Sequence, residues 1–339
     1  MMLLFGLLGL MAIGAAAFVG SGGDDPPEDT EDAGSSDATD SASAALGPSD
    51  TGGIIDVLQY ATEPDVFAEG AWDEPLPDTA QTLTGQGSSG ADFIAGGPLG
   101  DDLSGNAGND LIHGEPGDDT IAGGDGDDTL HGEDGAEALS GGAGDDDLFG
   151  HNDDDTLRGG EGADSLVGSA DDDLLYGDAG DDALHGDLGD DTLDGGGGAD
   201  VLFGGWGDDV IIGAPGGVSD TDLDYLNGGG GNDLIIPGSG DIVTAGDGQD
   251  SIALGDWLSE GHETEILDFI AAEDRLMIIY DDTNADLPDV TLEQDETDPE
   301  AQHVVLNGLR IAAVRDAGDL TLEHILLIGQ SELGAQTAA

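Results

Sequence analysis

The sequence contains no cysteine and no lysine, and its strong bases are four arginines among 339 residues. Without cysteine the protein has no disulfide, no thiolate metal ligand and no cysteine nucleophile. Acidic residues number 77, which gives a formal net charge of −73. Because such a polyanion repels nucleic acid and anionic membrane surfaces, we expect no nucleic-acid partner.

Sequence motifs of common catalytic sites are also absent. The chain has no H-E-x-x-H, no G-x-S-x-G and no P-loop, and the segments outside its repeats are too short or too polar for an ordinary catalytic domain. Paired carboxylates are frequent, but an open array of turns lacks the dry pocket that separates an acid from a base. We therefore expect a protein that is not an enzyme.

The apolar run of membrane-spanning length is the uncharged segment 1–20. It is typical of a secretory signal peptide or of an uncleaved membrane anchor, since about 20 apolar residues span a bilayer. Both alternatives stay open, whereas a buried core helix is disfavoured because the acidic residues that follow offer nothing to cover it. In either case we expect the rest of the chain to leave the cytoplasm. Residues 21–86 are predicted to form an acidic, mostly disordered linker.

A nine-residue repeat dominates the rest of the sequence. Residues 87–212 divide into fourteen consecutive units, in which the first position is always glycine and the eighth is always leucine or isoleucine. The sixth position is aspartate in thirteen units and Glu137 in the other. Since the period continues less regularly to residue 253, we predict one repeat domain over residues 87–253.

Each unit, such as GGDGDDTLH at 123–131, predicts a glycine turn followed by a three-residue strand. Two units form a flattened coil of about eighteen residues, and coils stack as parallel strands about 4.8 Å apart with leucine inside. Stacking places Asp110 over Asp128, and two charges about 5 Å apart repel by roughly 3 kcal/mol at an effective dielectric constant of about 20. A buried leucine contributes only about 1.5–3 kcal/mol. A divalent cation between the turns would reverse the repulsion, and carboxylate and carbonyl oxygens suit Ca²⁺.

The units GGDGDDTLH (123–131) and GGAGDDDLF (141–149) resemble the G-G-x-G-x-D-x-U-x nonapeptide of RTX, or hemolysin-type, calcium-binding proteins. The resemblance covers residues 87–253, about half of the chain. It implies an all-β fold, a parallel β-roll, in which multiple Ca²⁺ ions lie between turns and are held by sixth-position aspartates and turn carbonyls. It also implies export by type I secretion machinery and folding on meeting external calcium.

The resemblance implies metal ligands at one position of each unit. These residues are Asp92, Asp101, Asp110, Asp119, Asp128, Asp146, Asp155, Asp164, Asp173, Asp182, Asp191, Asp200, Asp209, Asp224, Asp233, Asp241 and Asp250. Leu99, Asp153 and Asp171 replace the fourth-position glycine, and Glu137 replaces the aspartate. We therefore expect weaker calcium sites around those four turns.

Residues 254–339 lose the period and are predicted to form a small β-rich cap, which could also carry the export signal. Asn307-Gly308 predicts a β-hairpin with a type I′ turn within residues 303–314. The segment EILDFIAAEDRLMIIY at 265–280 predicts a strand, an acidic turn and a second strand.

Outward-facing side chains of the repeats offer two further candidate sites. His113, His131 and His185 occupy the ninth position, where they could bind a transition metal or be ordinary surface histidines. A stripe of aromatic side chains could bind a partner; its members are Phe149, Phe203 and Trp206.

The segment SDTDLDYLN at 219–227 is similar to the start of an EF-hand loop, with Asp220, Asp222 and Asp224 at alternate positions. Tyr225 stands where that loop needs glycine, so the sequence predicts no EF-hand here. An additional calcium ligand in this segment remains open.

These observations predict a secreted or surface-anchored protein that binds calcium ions and folds on binding them. The alternative is an adhesin or surface-layer protein that binds a cell-surface partner and in which calcium is only structural. An apolar stripe at one uniform outward position would favour the alternative, and in this sequence the stripe is patchy.

Overall fold

A computed structural model of the protein describes residues 82–213, 222–255, 257–259, 261–283, 287–315, 318 and 320–331. The segment 1–20 and nearly all of the predicted linker lie outside the described residues. The described residues form 25 β-strands and one short 3-10 helix, Leu322–His324. No helix among them has the length and apolar character needed to cross a membrane. The predicted all-β fold class is confirmed.

The strands are β1 (Thr84–Gln86), β2 (Phe93–Ala95), β3 (Asp102–Ala107), β4 (Leu111–His113), β5 (Thr120–Asp125), β6 (Thr129–Asp134), β7 (Ala138–Ala143), β8 (Asp147–Asn152), β9 (Thr156–Glu161), β10 (Ser165–Ala170), β11 (Leu174–Ala179), β12 (Ala183–Leu188), β13 (Thr192–Asp194), β14 (Val201–Trp206), β15 (Val210–Ile212), β16 (Tyr225–Gly230), β17 (Leu234–Ile236), β18 (Ile242–Asp247), β19 (Ser251–Gly255), β20 (Thr264–Ile266), β21 (Arg275–Tyr280), β22 (Val290–Gln294), β23 (Gln302–Leu306), β24 (Leu309–Val314) and β25 (Ile325–Gly329).

Consecutive strands alternate between two sheets. One sheet contains the odd-numbered strands β1 to β21 followed by β25, and the other contains the even-numbered strands β2 to β20 followed by β24, β23 and β22. Neighbours in the repeat region are parallel and one coil apart, so that Leu130 pairs with Leu148. The chain therefore forms a parallel β-solenoid of about 9 turns, and the predicted β-roll is confirmed.

Many strands of the repeat region are six residues long, although the repeat predicted three. Strand β6 begins at Thr129, continues through Gly132 and ends at Asp134. Positions one to three stay in the strand because they still pair with the next coil; Glu133 pairs with His151, although φ is +87° and +88° at these two residues. The turn therefore occupies only positions four to six.

The eighth-position side chains form a core one residue wide. From Ile94 to Ile252 these side chains are at most 2% exposed, and they lie in one continuous apolar cluster. Each coil buries its leucines chiefly against the coil before and the coil after it. Stability in such a one-dimensional stack depends on nearest neighbours, so its end coils are the weakest.

Beyond the repeats, strands β20, β21, β24 and β25 extend both sheets with parallel pairs. The predicted strands of residues 265–280 are confirmed as β20 and β21. The predicted hairpin is also confirmed, because β23 and β24 are antiparallel and are joined by Asn307 and Gly308. Both joining residues have positive φ, +52° and +85°, as a type I′ turn requires.

An insertion in the repeats leaves the strand register intact. Between β14 and β16 the paired residues are further apart in sequence than elsewhere, as in Leu202 with Leu226, and the same holds for Ile211 with Ile235. Part of the insertion, residues 214–221, lies outside the described residues. The stack resumes after it with the same side chains inside.

Candidate metal centre

The sixth-position carboxylates lie inside the solenoid and form two rows, one along each edge. Every predicted ligand is at most 7% exposed. One carboxylate oxygen accepts a hydrogen bond from the backbone N–H of the equivalent residue one coil earlier, as when Asp128 N–H donates to Asp146 Oδ1 over 2.8 Å. The first row is Asp92, Asp110, Asp128, Asp146, Asp164, Asp182, Asp200, Asp224 and Asp241. The second row is Asp101, Asp119, Glu137, Asp155, Asp173, Asp191, Asp209, Asp233 and Asp250.

In the middle of both rows the second carboxylate oxygen, Oδ2, is buried and has no hydrogen-bond donor among the described residues. This holds for Asp110, Asp119, Asp128, Asp146, Asp155, Asp164, Asp173, Asp182, Asp191, Asp209, Asp233 and Asp250. A buried polar atom without a partner costs about 1–3 kcal/mol, and more when the group is charged. A run of such oxygens is the arrangement that a bound cation would satisfy.

The first-position glycines explain how these oxygens are accommodated. A Cβ added to Gly123 would lie 2.2 Å from Asp128 Oδ2 and 2.7 Å from the carbonyl oxygen of Gly141. At Gly186 the corresponding distances are 2.2 Å to Asp191 Oδ2 and 2.6 Å to the next carbonyl oxygen. A carboxylate oxygen and a carbonyl oxygen therefore converge on the bare Cα, and any side chain would fill the space between them. Two hard oxygen donors at one point suit Ca²⁺.

The electrostatics of the rows oppose the metal-free charged state. Burial, with the charges of neighbouring aspartates added, raises the pKa of Asp146 from 3.8 to about 7 and that of Asp173 to about 8. Burial also raises the pKa of Asp128 to about 6, even though the Asp110 N–H stabilises its charge. The rows therefore hold carboxylates that need a proton or a cation as partner near neutral pH.

The ends of the rows differ from their middle. Ser88 N–H donates to Asp92 Oδ2 over 2.5 Å, and Gly97 N–H donates to Asp101 Oδ2 over 2.6 Å. Asp241 Oδ2 likewise accepts a backbone N–H, from Gly238. In these aspartates the second carboxylate oxygen, Oδ2, accepts an N–H from the aspartate's own turn. They are structurally distinct from the interior aspartates, although the sequence pattern treats them alike.

Glu137 interrupts the second row. It is buried, and neither of its carboxylate oxygens has a donor among the described residues. Burial and then the charge of Asp155 raise the pKa of Glu137 strongly. Its longer side chain does not accept the Asp119 N–H in the way that every aspartate of the row accepts its neighbour's. The sequence predicted an irregular turn at Glu137, and the missing hydrogen bond to the Asp119 N–H is that irregularity.

Where aspartate replaces the fourth-position glycine, φ stays positive but is smaller than at the glycines, such as +133° at Gly144 and +140° at Gly162. Asp153 and Asp171 have φ of +71° and +73°, a region that aspartate enters more readily than most residues. Leu99 is the third replacement and lies 38% exposed near the N-terminal end of the stack. The aspartate replacements therefore preserve the turn.

Sequence reasoning missed a further member of the second row. Asp250 N–H donates to Asp274 Oδ1 over 3.2 Å, and Ile270 N–H donates to Asp274 Oδ2 over 2.6 Å. Asp274 begins the segment DRLM, which keeps the D-x-U-x half of the repeat without its glycines. That half-motif was the signal that could have identified it.

Sequence reasoning also missed an outer acidic row at the fifth position. Its side chains accept backbone N–H groups in the opposite direction, from the following coil; Asp145 accepts from Ala163 over 2.9 Å, and Asp190 accepts from Asp208 over 2.8 Å. These residues are exposed. They add hydrogen bonds between coils and negative charge beside the buried rows.

The remaining candidate residues are those of the EF-hand-like segment and the exposed aromatic residues. Of the segment that is similar to the start of an EF-hand loop, Asp220 lies outside the described residues, whereas Asp224 belongs to the first row. Among the aromatic residues, Trp206 is 70% exposed and Phe203 is 38% exposed, three residues apart in β14. Phe149 lies in β8 of the same sheet, separated from β14 by two strands, and stacks on a histidine.

Repeated buried oxygens without donors, glycine cradles and parallel stacking form a solenoid whose turns are suited to hard cations. The family model of the RTX calcium-binding nonapeptide repeat (4 copies) matches residues 96–130, 131–166, 158–193, 185–217 and 220–241. Residues 96–241 of this chain are therefore RTX calcium-binding nonapeptide repeats, and they indicate a calcium-binding β-roll protein. No curated protein matches the chain.

Proposed function

We propose that this chain is a secreted or surface-anchored protein that folds on binding several Ca²⁺ ions along its two carboxylate rows. The observation that carries the proposal is the run of buried Oδ2 atoms without donors. Many of them, such as those of Asp128 and Asp191, lie beside a bare glycine that the carbonyl oxygen of a neighbouring coil also approaches. Calcium supplies the positive charge that these oxygens lack. Asp92, Asp101 and Asp241 contribute less, because backbone N–H groups already occupy their second oxygen.

The proposed location follows from the calcium requirement. RTX repeats are typical of extracellular proteins, and extracellular calcium modules work at Ca²⁺ concentrations of about 10⁻⁴–10⁻³ M. A chain that stays unfolded at low cytosolic calcium can pass through type I secretion machinery and fold outside. The segment 1–20 provides either the cleaved signal or the anchor in the alternative route.

The ligand assignment is tested by three variants at the sixth position of two adjacent repeat units. Asp128→Ala removes a carboxylate whose oxygen faces the cradle, and we expect fewer bound calcium ions or a roughly tenfold higher calcium requirement. Glu137→Ala should have a smaller effect, because Glu137 already fails to join its row. Glu137→Asp should lower the calcium requirement by restoring the acceptor for the Asp119 N–H.

Calorimetry and direct counting of bound calcium distinguish these outcomes, and far-UV circular dichroism in saturating calcium verifies folding. Equal and negligible effects of Asp128→Ala and Glu137→Ala would remove the sixth-position residues from the ligand set.

The glycine cradle is tested by a matched pair of glycines. Gly186→Ala places a methyl group 2.2 Å from Asp191 Oδ2, and we expect it to destabilise the calcium-loaded roll by about 1–3 kcal/mol. Gly197→Ala is the control, because Gly197 has no atom within 4 Å of an added Cβ and its φ is not positive. Urea unfolding in saturating calcium measures both. A loss of stability in Gly197→Ala as large as that in Gly186→Ala would contradict the cradle.

A second candidate function is adhesion, favoured by an exposed apolar patch on the even-numbered sheet. Leu188 pairs with Trp206, and their side chains are 56% and 70% exposed, with Phe203 nearby. In this case calcium only stiffens the roll, and a cell-surface partner covers the patch. Substitution of Trp206 distinguishes the two functions. If the protein is an adhesin, the substitution abolishes adhesion and calcium binding is retained.

A further inference from the structure

A cluster of three histidines and one glutamate lies on the outer face of the even-numbered sheet. His131 and Glu133 are two residues apart in β6, so both point away from the core. The sheet register pairs His113 with His131 and pairs Glu133 with His151. The four side chains therefore form two neighbouring pairs that are offset by one strand across β4, β6 and β8, and this staggered arrangement is called the grid below.

Distances within this grid are those of a metal site. His113 Nδ1 lies 3.4 Å from Glu133 Oε1, and His131 Nδ1 lies 3.1 Å from His151 Nε2. In a tetrahedral Zn²⁺ site with bonds of about 2.0–2.1 Å, neighbouring ligand atoms are about 3.3 Å apart. Ligand atoms of His113, His131 and Glu133 all lie within 4.8 Å of one another. His151 lies near His131 alone, so a four-ligand site requires rotation of side chains on this solvent-facing surface.

The rings are already ordered by stacking. The His131 ring stacks on His113 with centroids 4.6 Å apart and on Phe149 at 4.8 Å, at interplanar angles of 12° and 9°. Stacking on both faces leaves only the ring edges, where the nitrogens are, free to bind.

We propose that His113, His131, Glu133 and His151 bind one Zn²⁺ or a similar transition-metal ion on the flat face of the roll. The site is chemically different from the carboxylate rows, because imidazole nitrogens prefer zinc, copper and nickel, whereas Ca²⁺ prefers oxygen. Binding requires that His131 Nδ1 and His151 Nε2 each donate a lone pair to the metal. Each ring then carries its proton on the nitrogen that faces away from the metal. A metal here ties three neighbouring coils together.

The chain contains a matched control. His185 occupies the same ninth position on the same sheet, and its ring stacks on Phe203 with centroids 5.0 Å apart. Its neighbours along the sheet are Val167 and Phe203, so no second histidine pairs with it. If zinc binds to the grid, substitution of His185 should therefore leave the zinc affinity unchanged.

The experiment is a Zn²⁺ titration of the full chain by calorimetry in saturating calcium, with bound calcium counted in parallel. We expect one zinc ion per chain and unchanged calcium content. His131→Gln and His151→Gln should each lower zinc affinity by at least about tenfold, since removal of a ligand costs no less than removal of a supporting group. His185→Gln should bind zinc as the unaltered chain does.

Three results would overturn the proposal: no zinc binding by the unaltered chain, equal affinity in His131→Gln and His185→Gln, or release of calcium in proportion to zinc bound. Circular dichroism in calcium checks each variant. If His131→Gln is not folded, His113→Gln, whose histidine lies in the short strand β4, replaces it in the comparison.

Discussion

Removal of calcium by a chelator at neutral pH is expected to unfold residues 87–253, with loss of most of the β-strand signal in far-UV circular dichroism. The rows then contain buried carboxylates that are charged or forced to bind protons, and the core one residue wide does not offset this cost. Adding Ca²⁺ should restore the signal cooperatively. Mg²⁺ should restore it poorly, because it demands octahedral geometry and releases its water reluctantly.

Acid provides the control for this prediction. Burial raises the pKa values of Asp128, Asp146 and Asp173 to about 6, 7 and 8, so the folded chain binds protons more tightly than the unfolded chain does. Their destabilising effect on the metal-free roll is complete above the folded-state pKa and is lost as pH falls toward the unfolded value of 3.8.

Lowering the pH from about 8 to about 5 in chelator should therefore raise the free energy of unfolding and return part of the strand signal. In calcium the same change should destabilise the protein, because protons compete with the metal. A full strand signal in chelator at pH 8 would contradict the calcium requirement.

A chain that ends at Gly255 is expected to lose protection of its last coils, although it keeps every sixth-position residue of the repeats. Truncation removes β20 and β21, which pair with β18 and β19. It also removes Asp268, which accepts the Ala245 N–H over 2.8 Å, and Asp274 at the end of the second row. Exposure of one or two apolar side chains at about 1.5–3 kcal/mol each corresponds to at least a tenfold loss of hydrogen-exchange protection.

Hydrogen exchange across residues 242–255 at one calcium concentration measures this effect. The control is a chain that ends at Ser331, which removes only residues 332–339 and leaves every described strand in place. Unchanged protection in the shorter chain would show that residues 256–331 do not cap the roll, and a role confined to export would then explain them better.

The sequence predicted those features of the site that depend only on which residue type occupies a given position of the repeat. The sixth and eighth positions give the buried rows and the core directly, because two units of nine residues make one coil and equivalent side chains of successive coils lie over one another. The hairpin at Asn307-Gly308 was equally predictable, since both residues tolerate positive φ. These features need only local conformation and the repeat length.

Other features could be predicted only if the length of the strands were known, and the repeat alone does not give that length. With three-residue strands, position two would lie in a turn, and Glu133 and His151 would have no defined relation to His113 and His131. Because the strands run through the first glycine, positions nine and two lie on one face and the histidine grid forms. Asp274 was missed for another reason, since its turn lacks the glycines that define the repeat.

The intact register across the insertion before β16 bears on how such a chain changes in length. Leu202 meets Leu226 as closely in register as Leu130 meets Leu148, although the chain between the first pair is longer. Each coil pairs and packs only with the coil before it and the coil after it. Duplication or deletion of a whole coil therefore creates no new kind of contact. Recombination between similar coding repeats can therefore lengthen or shorten this protein by one coil at a time and leave a foldable product at each step.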